Sequence, residues 1–236
     1  MAMLKSAAVT LLLTTPLLLT GCHHDDDDDD DNNQASRVSY EVKVTNLTSA
    51  QPLSPLALVL HGDGYQMWST GSSASSGLEL LAEGGDNTEL LAEAADPANV
   101  TMSGSGVIVP GASETVTIEA DQASDLELSL ASMLVNTNDA FTGLRGESVG
   151  GLANGESKSL RIIAYDAGTE ANTESAATIP GPAAGGEGFN AARDDRDSVG
   201  GHPGVVSSDD GLNGSVLGEE HRFDNPVASV TITRVQ

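Results

Sequence analysis

The chain has few aromatic side chains, few basic ones and almost no cysteine. Aromatics make up 3% of its 236 residues, and there is one Cys. Such a core must be built from Val, Leu, Ile and Ala, which suits a thin β-sandwich better than an enzyme with a deep aromatic pocket. One cysteine also excludes a disulfide within the chain. Lys and Arg number 10 against 35 acidic residues, a net charge of -25. This field repels nucleic acid and anionic lipid and favours hard divalent cations.

The first residues have the pattern of a bacterial export signal. Lys5 precedes an apolar stretch at residues 7–20, which is shorter than the roughly 20 residues that span a bilayer. The following Leu-Thr-Gly-Cys at residues 19–22 resembles a lipobox, in which the Cys thiol receives diacylglycerol. We therefore expect a lipoprotein signal peptide at residues 1–21 and a membrane anchor on Cys22. The alternative is an ordinary secretory peptide with a chance cysteine.

Residues 22–36 have the composition of an acidic disordered tether. Seven consecutive aspartates occupy residues 25–31, and like charges at that density repel and extend the chain. A solvated spacer is the simpler interpretation; the alternative is that His23 and His24 beside the carboxylates bind stray metal. His23, rather than Asp, follows Cys22, which by the usual sorting of Gram-negative lipoproteins indicates the outer membrane. The sequence leaves its periplasmic or surface face undetermined.

Short alternating segments dominate residues 37–236, the third predicted region. Apolar side chains alternate through Val38, Tyr40, Val42 and Val44, which predicts a half-buried strand. A helical period appears at residues 77–95, interrupted at Gly84-Gly85, with Ser76 and Glu79 as a predicted capping box. Residues 180–226 are rich in glycine and predict a long loop. The fold class is therefore all-β: an antiparallel β-sandwich with one short helical insertion and a long Gly-rich loop. Strands are predicted at residues 37–47, 56–60, 107–109, 114–120, 126–135, 158–165 and 227–235.

The common signatures of catalysis are missing from the sequence. It contains no His-Glu-x-x-His, Walker or Gly-x-Gly-x-x-Gly motif, and its Gly-x-Ser-x-Gly match at residues 146–150 is no nucleophile elbow because no predicted helix follows it, so we expect no enzyme. Two alternatives stay open. One is a hydrolase that uses His202 or His221 with an aspartate, and the other is a zinc site built from His61, His202 and His221, which lack motif spacing.

Three acidic residues follow two of the predicted strands. Asp139 comes after the strand at 126–135, and Asp166 and Glu170 come after the strand at 158–165. Loops gather at the ends of a sandwich, and Gly168 permits a tight turn, so these carboxylates are expected to converge. Their repulsion calls for a cation, and Ca²⁺ accepts loop carboxylates with loose geometry. The alternative is that they are ordinary acidic turn residues of an acidic protein.

Several segments of the chain resemble the F-spondin N-terminal (spondin) domain, of which this would be a bacterial lipoprotein member. The most specific is YDAGTE, and the resemblance extends over about residues 38–235. It rests on SMLV (132–135) with NDAF (138–141), YDAGTE (165–170), ES with TIP (174–180) and VASVTITRV (227–235), and, as in bacterial relatives, YEVKVTNLT (40–48), the region of His61, SSGLELLAEGGD (75–86) and HPG (202–204).

The resemblance implies an antiparallel β-sandwich like those of calcium-dependent membrane-binding domains. It also implies Ca²⁺ as cofactor, bound by Asp139, Asp166 and Glu170. Animal members usually have Asp where this chain has Glu170, and their disulfides are absent here. We expect a lipid-anchored, non-enzymatic cell-envelope protein whose domain binds an extracellular glycan or protein ligand in adhesion. The alternative is a structural envelope lipoprotein in which calcium only stabilises the loops.

Overall fold

The computed structural model describes residues 36–236, which form two antiparallel sheets with two short helices. The sheets contain four and six strands, in the orders β4-β1-β10-β7 and β3-β2-β5-β6-β8-β9. The predicted all-β sandwich is confirmed. The strands are β1 (Arg37–Asn46), β2 (Ala57–His61), β3 (Val100–Ser103), β4 (Ser113–Asp121), β5 (Glu127–Met133), β6 (Ala140–Ser148), β7 (Ser157–Ile162), β8 (Ala164–Asp166), β9 (Gly200–Gly201) and β10 (Ala228–Arg234).

The four-stranded sheet follows the alternation of its sequence. Strand β1 pairs with β4 on one side and with β10 on the other. Val38, Tyr40, Val42 and Val44 are all buried and pack in one hydrophobic cluster with Leu128 and other apolar residues of the second sheet. The core of the sandwich therefore lies between the sheets, as the period-two pattern requires.

Two helices cover the outer face of the six-stranded sheet. Helix α1 (Ser76–Gly84) and helix α2 (Thr88–Glu93) replace the interrupted helix of the prediction. The predicted capping box of Ser76 and Glu79 is wrong: Ser75 is the N-cap, its side chain accepts from the Leu78 amide at 3.1 Å, and the apolar Leu78 side chain cannot return the bond. The helices bury apolar side chains in a second cluster with strands β2, β5 and β6.

The Gly-rich segment is ordered around a small cluster of its own. Ile179, Val205 and Leu217 are buried together. Regular structure within residues 180–226 amounts to strand β9 and two single-turn 3-10 helices, Ser208–Asp210 and Glu219–His221. The predicted long loop is therefore confirmed as mostly irregular chain, with apolar contacts that hold it against the sandwich.

Some boundaries differ from the prediction. The strand predicted at 107–109 is wrong, because only Ile108 pairs there, in a bridge to Leu53. The segment predicted as one strand at 158–165 divides at Ile163 into β7 and β8, which belong to different sheets. Strands β3, β6 and β9 were not predicted.

The predicted signal peptide, Cys22 and all but the last residue of the predicted tether lie outside the described residues. Among residues 36–236, no helix has the length and apolar character needed to cross a bilayer.

Candidate metal site

The turn between β5 and β6 is built by the side chain of Thr137. Its hydroxyl donates to the Leu134 carbonyl at 2.6 Å and accepts from the Ala140 amide at 3.1 Å. These two hydrogen bonds connect both ends of the turn and fix Asp139 immediately before β6. None of the surface of Asp139 is exposed. A short polar turn thus places a carboxylate inside the protein.

Only one of the two carboxylate oxygens of Asp139 accepts hydrogen bonds. Its Oδ2 accepts from the backbone amides of Thr169 at 2.8 Å and Glu170 at 3.2 Å, whereas its buried Oδ1 has no hydrogen-bond partner within residues 36–236. Burial and the negative charge of Asp166 raise the pKa of Asp139 to about 7, against the lowering effect of the two amides. An ionised Asp139 therefore lacks a positive partner on one oxygen.

Asp166, at the end of β8, is fully satisfied by contrast. Its Oδ1 accepts from the Gly168 amide at 2.8 Å and pairs with Arg196 Nη2 at 2.7 Å, and its Oδ2 accepts from Asn172 at 2.8 Å. Asp166 is completely buried, whereas the Arg196 side chain is 45% exposed. The buried Asp166 carboxylate is thus paired with the guanidinium of a partly exposed arginine.

Gly168 shapes the turn that follows Asp166. It has a φ of +72°, and a Cβ there would lie 2.5 Å from the Ser198 carbonyl oxygen. Only glycine meets both demands without strain. Its turn directs the next two amides at Asp139.

Glu170 is 5% exposed, and its buried Oε2 has no hydrogen-bond partner in the described part of the chain. Burial raises the pKa of Glu170 to about 8, with further raising by the charges of Glu83, Asp139 and Glu187 and a lowering contribution from the Asn138 side chain. Like Asp139, this carboxyl is buried with an oxygen that no donor satisfies.

The fold gathers these three carboxylates at one end of the six-stranded sheet. Ala140 is the pairing partner of Asp166 across β6 and β8, and the turn after Asp166 returns to Asp139. Within residues 36–236, however, no three His, Cys, Asp or Glu side chains converge closely enough to hold a metal ion by themselves. Oxygens of other kinds, such as backbone carbonyls, would therefore have to complete any coordination shell.

Two participants in this region were not predicted. Glu83, on α1, is completely buried; its Oε2 accepts from the Asn190 amide at 2.8 Å, and its Oε1 has no partner among the described residues. Burial also raises its pKa. The other is Arg196, the partner of Asp166. No sequence signal marked either residue, because an acidic residue on a predicted helix and an arginine in a Gly-rich loop both resemble solvated side chains.

The histidines do not assemble into the zinc site considered above. In the neutral form of His61, Nδ1 faces the Gly62 carbonyl and so carries the proton, which leaves Nε2 to accept from the Ser129 hydroxyl. His202 Nδ1 accepts from the Gly204 amide, and His221 Nδ1 accepts from the Gly218 amide. Each imidazole thus has its own local partner.

A comparison of the sequence with protein families agrees with the architecture. The family model Spondin_N matches residues 44–182, more than half of the chain. The chain belongs to the Spondin_N family. The match contains the helical insertion and all of Asp139, Asp166 and Glu170; β10 lies outside it. The comparison with curated proteins found no match. The chain therefore contains a spondin-type module, of a family that is typically non-enzymatic.

Proposed function

We propose that this protein is a lipid-anchored cell-envelope protein whose spondin-type domain binds a calcium ion and serves as a non-enzymatic extracellular binding module. One observation carries the calcium assignment. Two acidic side chains at the positions that the family resemblance names, Asp139 and Glu170, are buried with an oxygen that no donor among residues 36–236 satisfies. Hard oxygen donors in a flexible loop setting are what Ca²⁺ prefers.

The donor set fits the ion at two of the three proposed positions directly. Asp139 and Glu170 each offer a free oxygen, whereas Asp166 must exchange Arg196 for the ion. Arg196 is able to leave because nearly half of its side chain already faces solvent. A bound cation would neutralise the repulsion that raises the pKa values of Asp139 and Glu170.

The burial of the site favours a bracing role for the ion. Asp139 and Asp166 are completely buried and Glu170 nearly so, which leaves little room for an external ligand to touch the metal. The ion would fix the loops after β5 and β8 against each other. This also supports the second candidate function, a structural envelope lipoprotein with no external ligand.

Calorimetry of the full chain in detergent tests the calcium site. At a hundredfold excess of calcium over Kd, the folded state should gain roughly 3 kcal/mol. Magnesium should give much less, because it demands tighter geometry. The double variant Asp139→Ala/Asp166→Ala should lose this response. The matched control Glu119→Ala/Asp121→Ala removes the same charge from β4, where both carboxylates are exposed, and should retain it.

Arg196 gives a second readout of the same site. If calcium displaces the guanidinium from Asp166, Arg196→Gln should raise the calcium affinity several-fold. Equal calcium binding by the wild type and by Asp139→Ala/Asp166→Ala would contradict the site and leave the aspartate run as the binder.

The anchor and the module are tested in cells. Cys22→Ser should yield an uncleaved or soluble precursor without lipid label; a variant that still fractionates with membranes and carries the label contradicts lipidation. Protease treatment of intact cells should remove a surface-exposed adhesion module, whereas a periplasmic structural protein would survive.

A further inference from the structure

A cavity of about 330 Å³ lies on the six-stranded sheet beside the only tryptophan of the chain. We call it the Trp68 cavity; it is lined by Tyr65, Gln66, Trp68, Glu127, Arg145 and Gly146. Its size is at the lower end of the range for small-molecule sites, which is roughly 300 to 1,000 Å³. None of its lining residues belongs to the candidate metal site.

A β-bulge places the charged side chain of the cavity. Leu128 pairs with Glu147 but Leu130 pairs with Leu144, so Arg145 and Gly146 together face Ser129. Gly146 has a φ of +62°, and its amide donates to the Ser129 hydroxyl at 2.9 Å. Bulges of this kind re-aim a side chain and are frequent beside functional sites.

The aromatic wall of the cavity is rigid. Trp68 packs edge-on against Phe141 and Tyr165, with ring centroids 5.1 and 5.5 Å away. Tyr65 contacts His61 edge-on at 4.8 Å and is only half-buried. A protein with 3% aromatic residues has thus concentrated four of them in this region.

The polar groups that line the cavity do not form hydrogen bonds or ion pairs with each other. Arg145 is exposed, lies over the Trp68 ring at 5.9 Å and makes no ion pair or hydrogen bond within residues 36–236, although Glu127 lines the same cavity. Trp68 is 5% exposed, and its indole N–H has no acceptor in that part of the chain. Burying a donor without an acceptor is costly, so such groups call for a partner.

We propose that the Trp68 cavity binds a neutral saccharide unit of an extracellular glycan. A sugar ring has an apolar C–H face, which suits the exposed part of Tyr65, and a rim of hydroxyls that both donate and accept. Arg145 and the Gln66 amide nitrogen offer donors and Glu127 offers acceptors to that rim, whereas Gln66 Oε1 already accepts from the Ser69 hydroxyl at 2.7 Å. The charges of Arg145 and Glu127 cancel, which favours a neutral ligand over an anion.

This inference rests on the proposed function, because it gives the binding module a ligand class and a location. It is independent of the ion, since the cavity contains none of the three proposed calcium ligands. The two can therefore fail separately.

Trp68 is the only tryptophan, so emission that is excited selectively at tryptophan, and not at the three tyrosines, reports on this cavity. The full chain in detergent is titrated with D-glucose, D-galactose, N-acetyl-D-glucosamine and cellobiose, with sodium acetate as an anion probe. At least one sugar should shift the Trp68 emission saturably, and acetate should not. Tyr65→Ala and Arg145→Ala should each weaken that binding by about tenfold or more, as expected for loss of a charged or stacking contact.

Arg161→Ala is the matched control, because Arg161 is an exposed arginine on β7 in the other sheet. It should bind the sugar as the wild type does, and all variants should still unfold cooperatively on heating, which shows that they are folded. The proposal is overturned if no sugar in the panel binds, if acetate gives the same response, or if Tyr65→Ala and Arg145→Ala bind normally. Calorimetry with calcium on the same samples separates the failures, because a normal calcium response without sugar binding overturns the cavity alone.

Discussion

The two sheets of the sandwich differ in how they meet their surroundings. Strand β4 alternates between buried and exposed residues, because one face of the four-stranded sheet meets solvent. Strand β2 is buried at all five positions, because helices cover the outside of the six-stranded sheet. In a sheet that is covered on both sides, a polar side chain does not contact water and needs another explanation. Its buried His61, Ser129 and Thr142 therefore mark places where side chains hold the backbone.

Both candidate sites lie on this covered sheet. Asp139 and Asp166 flank β6 and β8, and the bulge of the Trp68 cavity is in β6. The exposed face of the four-stranded sheet instead has cross-strand hydroxyl pairs such as Ser157 with Thr233. Substitutions should therefore lower stability strongly in the six-stranded sheet and only slightly on the exposed face of the four-stranded sheet.

The largest difference is expected between two glycines with similar backbone angles. Gly168→Ala must both adopt a φ near +72° and place a Cβ 2.5 Å from the Ser198 carbonyl oxygen, so we expect a loss of about 3 kcal/mol or more. Gly155→Ala, in the turn before β7, meets nothing within 4 Å at a φ of +82° and should cost about 1 kcal/mol. Urea denaturation of both variants measures the difference.

Equal losses for the two variants would mean that the turn after Asp166 relaxes freely, in contradiction to the close packing of Gly168 on Ser198. A calcium titration adds a second readout, since Gly168→Ala should also weaken calcium binding and Gly155→Ala should not.

The next effect concerns a buried carboxyl in the loop that packs on the turn before β6. Glu174 is 1% exposed at a φ of +54°, and burial raises its pKa to about 7 against one hydrogen bond from the Val206 amide. Because the folded pKa is the higher one, the contribution of Glu174 to stability is most favourable at low pH and falls as the pH rises from about 4.5 to 7. Glu174→Gln removes the charge and keeps an acceptor, so it should stabilise the protein at pH 8 by about 3 kcal/mol.

The gain should nearly vanish at pH 4, where the carboxyl is protonated in both folded and unfolded chains. Thermal unfolding at the two pH values measures it. Glu119→Gln, on the exposed face of β4, should show no such pH-dependent gain. A Glu174→Gln variant that is equally stable to the wild type at pH 8 would contradict the raised pKa.

The same contrast explains what the sequence could reveal of the fold. Strands β1 and β4 were predicted within one residue at each end. Apolar and polar residues alternate along both strands because one face of their sheet is exposed to solvent. Strand β6 was missed: its first five residues are all buried, so they carry no period-two signal. The division at Ile163 was also hidden, because a strand that changes sheets keeps the same pattern on both sides of the break.

The candidate metal site was predictable in part. Asp139, Asp166 and Glu170 follow strand ends, and the fold does bring their loops together; whether they bind calcium stays a prediction. Glu83 and Arg196 could not be found, because their approach depends on where α1 and the Gly-rich segment pack. Sequence spacing says nothing about such distant contacts, and an acidic helix residue resembles any solvated one.

The smallest effect compares two threonines. Thr142, on β6, is 1% exposed, and its hydroxyl donates to the Ile163 carbonyl at 2.8 Å where the chain divides between the sheets. Thr142→Val keeps the shape but leaves that carbonyl without its donor, for an expected cost of about 1 kcal/mol. Thr231, on β10, has an exposed hydroxyl pair with Ser159, and Thr231→Val should change stability by less than about 0.5 kcal/mol. Denaturation midpoints at constant slope measure both. Equal midpoints for the two variants would show that the Thr142 hydroxyl is replaceable by solvent, and that the covered sheet is wetter than its burial indicates.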